Sequence, residues 1–229
     1  MDTTYQLLAQ RLQREWIEKQ SQGQKRLLIA LAGPPGSGKT TIAQHVVDYV
    51  AALQSSPSIV AISADGFHLS LAALRALPNA AEAFARRGAP WTFDGAAVVD
   101  LVRNLRAGAG QNAVMAPTFD HAIKDPVTDG LTVGLDTEVC ILEGNYLLSD
   151  EAPWNEIADI VDDRWLVKVD PMLARNRVAA RHLRVGIEDS MEKALKRAEE
   201  NDMVNGEYVM RHSHGRYDVL IESLEESAV

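Results

Sequence analysis

Residues 33–40 read Gly33-Pro34-Pro35-Gly36-Ser37-Gly38-Lys39-Thr40, with Thr41 following. That order fits the phosphate-binding pattern G-x-x-x-x-G-K-[ST]. Glycines at such positions let successive backbone N–H groups point into one concavity, where a polyphosphate meets them and the positive end of the next helix. Lys39 then reaches the outer phosphates and the Thr40 hydroxyl ligates Mg²⁺. The flanks agree, because an apolar run, Leu27 to Ala32, leads in and a helix-compatible stretch, Thr41 to Leu53, leads out. The segment predicts a nucleoside triphosphate site with Mg²⁺.

Two carboxylates stand where they could serve that site. Asp65 follows the β-branched run Ile59 to Ser63, and Glu143 ends the apolar run Val139 to Leu142. In an open α/β sheet, ligands gather beyond the carboxyl ends of the strands, so both acids are expected on the side of the phosphate loop. Asp65 could orient an acceptor hydroxyl and take its proton, although Asp-Gly is also an ordinary turn pair. Glu143 could hold a water on Mg²⁺ or ligate it directly, although a strand end can also carry a solvated acid. Phe67 and His68 follow Asp65 closely, and Asn145 and Tyr146 follow Glu143, as candidates to line an acceptor pocket. From Pro171 to Val185 there are four arginines and no acid. Arg177, Arg181 and Arg184 fall at i, i+4 and i+7, one helical face, which could close over the triphosphate and neutralise developing charge.

The alternation of strand-like and helical segments predicts an α/β domain with a parallel sheet covered on both faces. Helices are expected over residues 3–20, to about Leu53, from Leu69 to Leu77, from Ala96 to Ala107, and from Pro171 to about Glu200. Strands are expected at Leu27 to Ala32, Ile59 to Ser63, Val114 to Ala116, Val139 to Leu142 and Trp165 to Val169. Residues 78–95 and 117–130 read as irregular, with Leu131 to Leu135 pairing locally as a flap. The tail carries one more apolar run, Val219 to Ile221. No linker or repeat divides the 229 residues, so one domain is expected over 1–229, with an N-terminal helix at 1–22 and a lid with its following helix at 171–200.

Hydrophobic residues make up 46% and charged residues 24% of the chain, which is ordinary for a soluble globular protein. A net charge of −9 argues against a nucleic-acid partner, which needs a broad basic surface. No apolar stretch is long enough to span a bilayer and no secretory signal is visible, so neither a membrane partner nor export is expected. Cys140 is alone and lies in an apolar run, which fits a reducing, cytoplasmic setting. With one cysteine and no His-Glu-x-x-His pair, His68 and His121 are not zinc ligands. The N-terminal helix, with Trp16 and Ile17, leaves a homodimer open. No asparagine precedes a lysine, so the Asn-Lys-x-Asp guanine motif of GTPase switches is missing. An ATP-hydrolysing switch or assembly factor without a small acceptor stays open as the alternative.

Together these residues resemble the phosphoribulokinase/uridine kinase family of P-loop kinases, in its pantothenate-kinase-like and uridine-kinase-like branch, over roughly 27–208. The resemblance rests on Gly33 to Thr40, Asp65-Gly66-Phe67, Arg87-Gly88-Ala89-Pro90 with Phe93-Asp94, Ala116 to His121, and Leu142-Glu143-Gly144. Glu200-Asn201-Asp202 with Asn205-Gly206 is similar to a segment of a fungal and bacterial uridine-kinase-like group. It implies a P-loop NTPase three-layer sandwich: a five-stranded parallel sheet, helices on both faces and a small lid. It also implies transfer of the γ-phosphoryl of ATP·Mg²⁺ to a hydroxyl of a small molecule, a nucleoside or a pantothenate- or sugar-like acceptor. Asp65 matches the family's catalytic base and Glu143 its Mg²⁺-associated acid. Arg177 and Arg181 match its lid. Arg86 or Arg87, Phe119 and His121 fall where acceptor contacts occur, and Asn201 where the adenine is approached. Phe119-Asp120 stands where uridine kinases carry Tyr-Asp, and residues 117–137 are too few for the larger pantothenate kinase flap.

Overall fold

The computed structural model describes residues 1–53 and 55–225. Five parallel strands form the main sheet in the order β2-β5-β1-β6-β7. They are β1 (Leu27–Ala32), β2 (Ile59–Ser63), β5 (Val139–Gly144), β6 (Asp163–Val169) and β7 (Val219–Ser223). Every residue of β1 and of β5 is buried. Strands covered on both faces read as unbroken apolar runs rather than alternating ones.

The pleat sorts neighbouring residues to opposite sides. Leu28, Ala30 and Ala32 join Cys140, Leu142 and Leu166 in one core, under helix α5 (Gly95–Ala107). Leu27, Ile29 and Leu31 join Val139, Ile141, Trp165 and Val167 in the other. That second core is covered by α1 (Asp2–Ser21) and α2 (Lys39–Ala51). Leu8 and Leu12 hold α1 down, each contributing roughly 1.5–3 kcal/mol by burial. An ion-pair cluster seats α1 on β6, where Arg11 donates to Asp163 at 2.7 and 2.9 Å and Trp165 Nε1 donates to the same carboxylate at 2.7 Å.

The remaining elements frame the carboxyl ends of the strands. Residues 78–95, expected to be irregular, contain α4 (Ala80–Ala85), after α3 (Leu71–Ala76), and a 3₁₀ turn at Pro90–Thr92. Ala80 to Ala85 is alanine-rich but only six residues long, too short to show a helical period. The stretch 117–130 is also ordered. Strands β3 (Val114–Asp120) and β4 (Asp125–Val133) form an antiparallel hairpin beside the main sheet. Its register slips between Ala116 and Thr118, so Pro117 sits at a bulge, where a missing N–H is tolerated. The run at Val219 to Ile221 is the fifth sheet strand, β7. After α6 (Ile157–Ile160) come α7 (Pro171–Arg184), α8 (Met191–Arg197), a π-helical turn (Ala198–Met203) and α9 (Val204–His212). No helix among the described residues is long and apolar enough to cross a membrane.

Candidate active site

The phosphate loop joins β1 to α2, and at Gly36 it packs closely on backbone atoms of α7. Gly36 has φ +77°, and a Cβ there would lie 2.5 Å from the Ala174 carbonyl oxygen of α7. Only glycine meets both the angle and the space. Lys39 is buried, and its Nζ donates to the Pro34 carbonyl at 3.1 Å. Burial pulls the Lys39 amine down to about 8, against the opposing pull of Glu143 and Asp65. Ser37 Oγ is buried and makes no hydrogen bond within the protein. An orphaned hydroxyl beside a buried ammonium fits a loop built to receive an anion.

Glu143, at the end of β5, is buried and accepts a hydrogen bond from Thr40 Oγ1 at 3.1 Å. Its carboxyl is pushed up, first by burial and then by Asp65, with Lys39, Ser63 and Thr40 acting the other way. Asp65 sits in a 3₁₀ turn (Ala64–Phe67) after β2, and its side chain is 47% exposed. Asp65, Glu143, Lys39 and Thr40 thus meet at the carboxyl ends of β1, β2 and β5. A hydroxyl and a carboxylate already paired, next to a second carboxylate, are a hard-oxygen donor set that suits Mg²⁺.

A half-buried aromatic wall continues from Asp65. His68 Nδ1 lies 2.9 Å from the Asp65 carbonyl oxygen, which can only accept, so that nitrogen carries the proton. Burial lowers the His68 pKa and keeps the ring neutral. The ring centroid is 3.9 Å from that of Phe93 and 5.1 Å from that of Phe119. Phe119 in turn lies 5.3 Å from His121, which stands exposed in the hairpin turn. Gly66 lets this wall close, since a Cβ there would be 2.3 Å from the Pro117 carbonyl oxygen.

Several expected site residues have other partners. Arg177, expected in the lid with Arg181, is hydrogen-bonded within the protein. It donates to the Gly36 carbonyl (3.3 Å), Ser223 Oγ (2.9 Å) and the Leu224 carbonyl (2.8 Å), bracing the phosphate loop on the end of β7. Arg181 is exposed and acts electrostatically on Lys39. Asn201, expected near the adenine, is tied to the Arg86–Gly88 loop, its Nδ2 donating to the Arg87 carbonyl at 3.0 Å. Arg87 spends its terminal nitrogens on the carbonyls of Lys124 (2.7 Å) and Leu69 (3.3 Å), clamping the hairpin turn. Phe67 is packed in the core under α5, and Tyr146 is buried with its hydroxyl on the Gly88 carbonyl at 2.5 Å. Neither ring faces a cleft. Asn145 is half-buried between Glu143 and Tyr146.

One feature near the loop carries no motif. A cavity of about 550 Å³ opens beside the loop, lined among others by Gly38, Thr41, Asn176, Arg177 and Ser223, with Tyr5 of α1. Its walls come from four distant segments, so no local pattern announces it.

The nephrocystin 3 N-terminal family model matches residues 2–68, less than half of the chain, including the phosphate loop and Asp65. Similarity over most of the length is to kinases. The Schizosaccharomyces pombe protein provisionally named uridine kinase C227.14 is 40% identical over 189 residues, 82% of this chain and 80% of that protein. The ATP-dependent kinase-like protein notR' of Aspergillus versicolor is 41% identical over 150 residues, 65% of this chain and 87% of that protein. A Silicibacter sp. TM1040 structure, provisionally called a fructose transport system kinase, superposes with a TM-score of 0.82 at 29% identity, covering 94% of this chain and 98% of that one.

Proposed function

We propose, from the premise that this chain belongs to the uridine-kinase-like family of P-loop kinases, that it transfers the γ-phosphoryl of ATP to a hydroxyl of a small metabolite, a nucleoside ahead of a pantothenate- or sugar-like acceptor. The observation that carries this reading is the meeting of Asp65, Glu143, Lys39 and Thr40 at three adjacent strand ends. Loop N–H groups, Ser37 and Lys39 would hold the phosphates, with the base in the cavity beside Gly38 and Ser223. Thr40 and Glu143 would hold Mg²⁺, which supplies charge neutralisation on the phosphate oxygens. The acceptor lies against His68 and Phe119, with its hydroxyl at Asp65. The Asp65 carboxylate takes the hydroxyl proton as the oxygen bonds to the γ-phosphorus and the bridging oxygen leaves with ADP. Lys39 and Arg181 offset the charge gathering on the transferred group. A half-buried aromatic surface is suited to stacking a base, which supports a nucleoside acceptor.

The test is ADP formation from ATP across a panel of uridine, cytidine, pantothenate and hexoses. The expected result is turnover that depends on one class of hydroxyl compound. In Asp65→Asn that turnover falls by about 10²–10⁴-fold, with ATP affinity retained. Acceptor-independent hydrolysis alone would point to a switch or assembly factor, and an Asp65→Asn variant active at the parent rate would remove the base.

A further inference from the structure

The π-helical turn Ala198–Met203 joins α8 to α9 at a point where three parts of the molecule meet. π turns within helices concentrate at functional positions. Just after it, a Cβ on Gly206 would lie 3.2 Å from Pro34 Cβ, so α9 rests on the phosphate loop. Asn201 holds the Arg87 carbonyl, while Arg86 donates to the Glu200 carbonyl at 2.9 Å and to Asn205 Oδ1 at 3.0 Å. The third contact is with α7, where Asp202 lies 3.6 Å from His182 Nε2. A small core of Val178, Ala179, Ala194 and Ala198 closes that junction.

Asp202 is buried, and its Oδ2 makes no hydrogen bond. The charged and titratable groups around it are Arg181 and His182 on α7, Arg197 on α8, Arg86 after α4, and the buried Tyr146 after β5. Burial raises the Asp202 carboxyl to about 6 and lowers the His182 imidazole to about 4. Above pH 6 a carboxylate therefore faces a neutral ring, and the pair is not a salt bridge. A buried anion with an unmade hydrogen bond costs stability, and an amide of the same shape would cost less. Three arginines act on that charge, Arg181, Arg197 and Arg86; Arg197 pairs with Glu188 and Arg86 is hydrogen-bonded to Glu200 and Asn205. Arg181 forms no ion pair among the described residues, yet it acts electrostatically on both Asp202 and Lys39.

We propose that Asp202 is a positioning residue for phosphoryl transfer: its buried charge keeps α7, and with it Arg181, docked on the turn that also holds Pro34 and the Arg86–Gly88 loop. This rests on the kinase reading given above. A folded-state pKa raised above the usual carboxylate range means that the charge is present above about pH 6 and lost as pH falls through it. The positioning effect follows the charge, whereas the stability cost of the charge runs the opposite way.

The experiment compares Asp202→Asn with the parent in MgATP turnover, with the panel acceptor or with water, from pH 5 to 8. At pH 7.5 kcat is expected to fall about tenfold or more while KM for ATP stays within about threefold. The deficit should shrink toward none at pH 5, where the parent's own Asp202 is protonated. The Tm at pH 7.5 should not fall. Adding Asp202→Asn to Arg181→Gln should cost little more than Arg181→Gln alone. A deficit equal at both pH values, a lowered Tm with a raised KM, or full additivity would each reduce Asp202 to packing and overturn the proposal. Should Asp202→Asn not fold, Arg181→Gln, at an exposed position, carries the same test, because its own loss must also vanish at pH 5. Failure of the kinase reading shows separately, as acceptor-independent turnover by the parent.

Discussion

Replacing Gly66 by alanine separates acceptor placement from nucleotide binding. The added Cβ would stand 2.3 Å from the Pro117 carbonyl oxygen, 2.6 Å from its carbonyl carbon and 3.0 Å from the Thr118 nitrogen. All three are backbone atoms of β3, so no side chain can swing clear. Carbon–oxygen contacts of this kind settle at about 3.3 Å or more. The hairpin must therefore retreat by about 1 Å, or Asp65 must shift by as much in the other direction. The hairpin carries Phe119 and His121, and Arg87 grips its turn at Lys124. A misplacement of about 1 Å at a reacting centre costs about 10²-fold. We expect kcat/KM for the acceptor to fall about 100-fold, or about 2.7 kcal/mol. ATP affinity should hold, because residues 33–41 are untouched. Coupled measurement of ADP release at varied acceptor, beside titration with a fluorescent ATP analogue, gives both numbers. A folded variant with kcat/KM within about threefold of the parent would show that the hairpin does not place the acceptor.

Two more outcomes follow from the buried charges. Lys39 is held down to about 8 by burial, yet the phosphates need its ammonium form. ATP-analogue affinity should be level below pH 8 and fall about tenfold per pH unit above it, as binding draws in a proton. Lys39→Arg should bind more weakly but with no such slope, and a flat parent profile to pH 9.5 would contradict the assignment. Glu143→Gln keeps an acceptor for Thr40 but removes a carboxylate whose pKa burial has raised. The Mg²⁺ concentration for half-maximal turnover should rise about tenfold or more, while the Tm in EDTA at pH 7.5 holds or rises. An unchanged Mg²⁺ requirement would remove Glu143 from the metal.

The strand ends around the candidate site were legible because the motif and the fold use the same short segments there. A strand buried on both faces is a plain apolar run, so Leu27–Ala32 and Val139–Gly144 announced themselves, and the residues at their ends had to share a side. Beyond those ends the signal fails for separable reasons. The hairpin β3–β4 was hidden by Pro117 and Gly130, which read as breakers; one sits at a bulge, and a Cβ on the other would lie 2.0 Å from Thr118 Oγ1 across the ribbon. Helical spacing put Arg177, Arg181 and Arg184 on one face but could not say what that face meets. Arg177 meets Gly36, 141 residues earlier in the chain. Two residues after Asp65 and three after Glu143 the chain has turned inward, and Phe67 and Tyr146 pack in the core, which spacing alone did not show.

Asp202 shows the limit most sharply. In Glu199-Glu200-Asn201-Asp202 an acid reads as one more solvated charge, and its neighbours Glu199 and Glu200 are indeed exposed. Asp202 lies buried in the π turn against His182 of α7, where Ala179, Ala194 and Ala198 form part of the small core between the helices. Burial of that kind is set by two helices agreeing on a distance, and neither helix carries the distance in its own sequence. A carboxylate placed so is also the group whose removal separates function from stability. If its charge serves only packing, the asparagine variant's stability still varies with pH, but its turnover relative to the parent does not. If it serves Arg181, stability and turnover must move in opposite directions on the same side of pH 6.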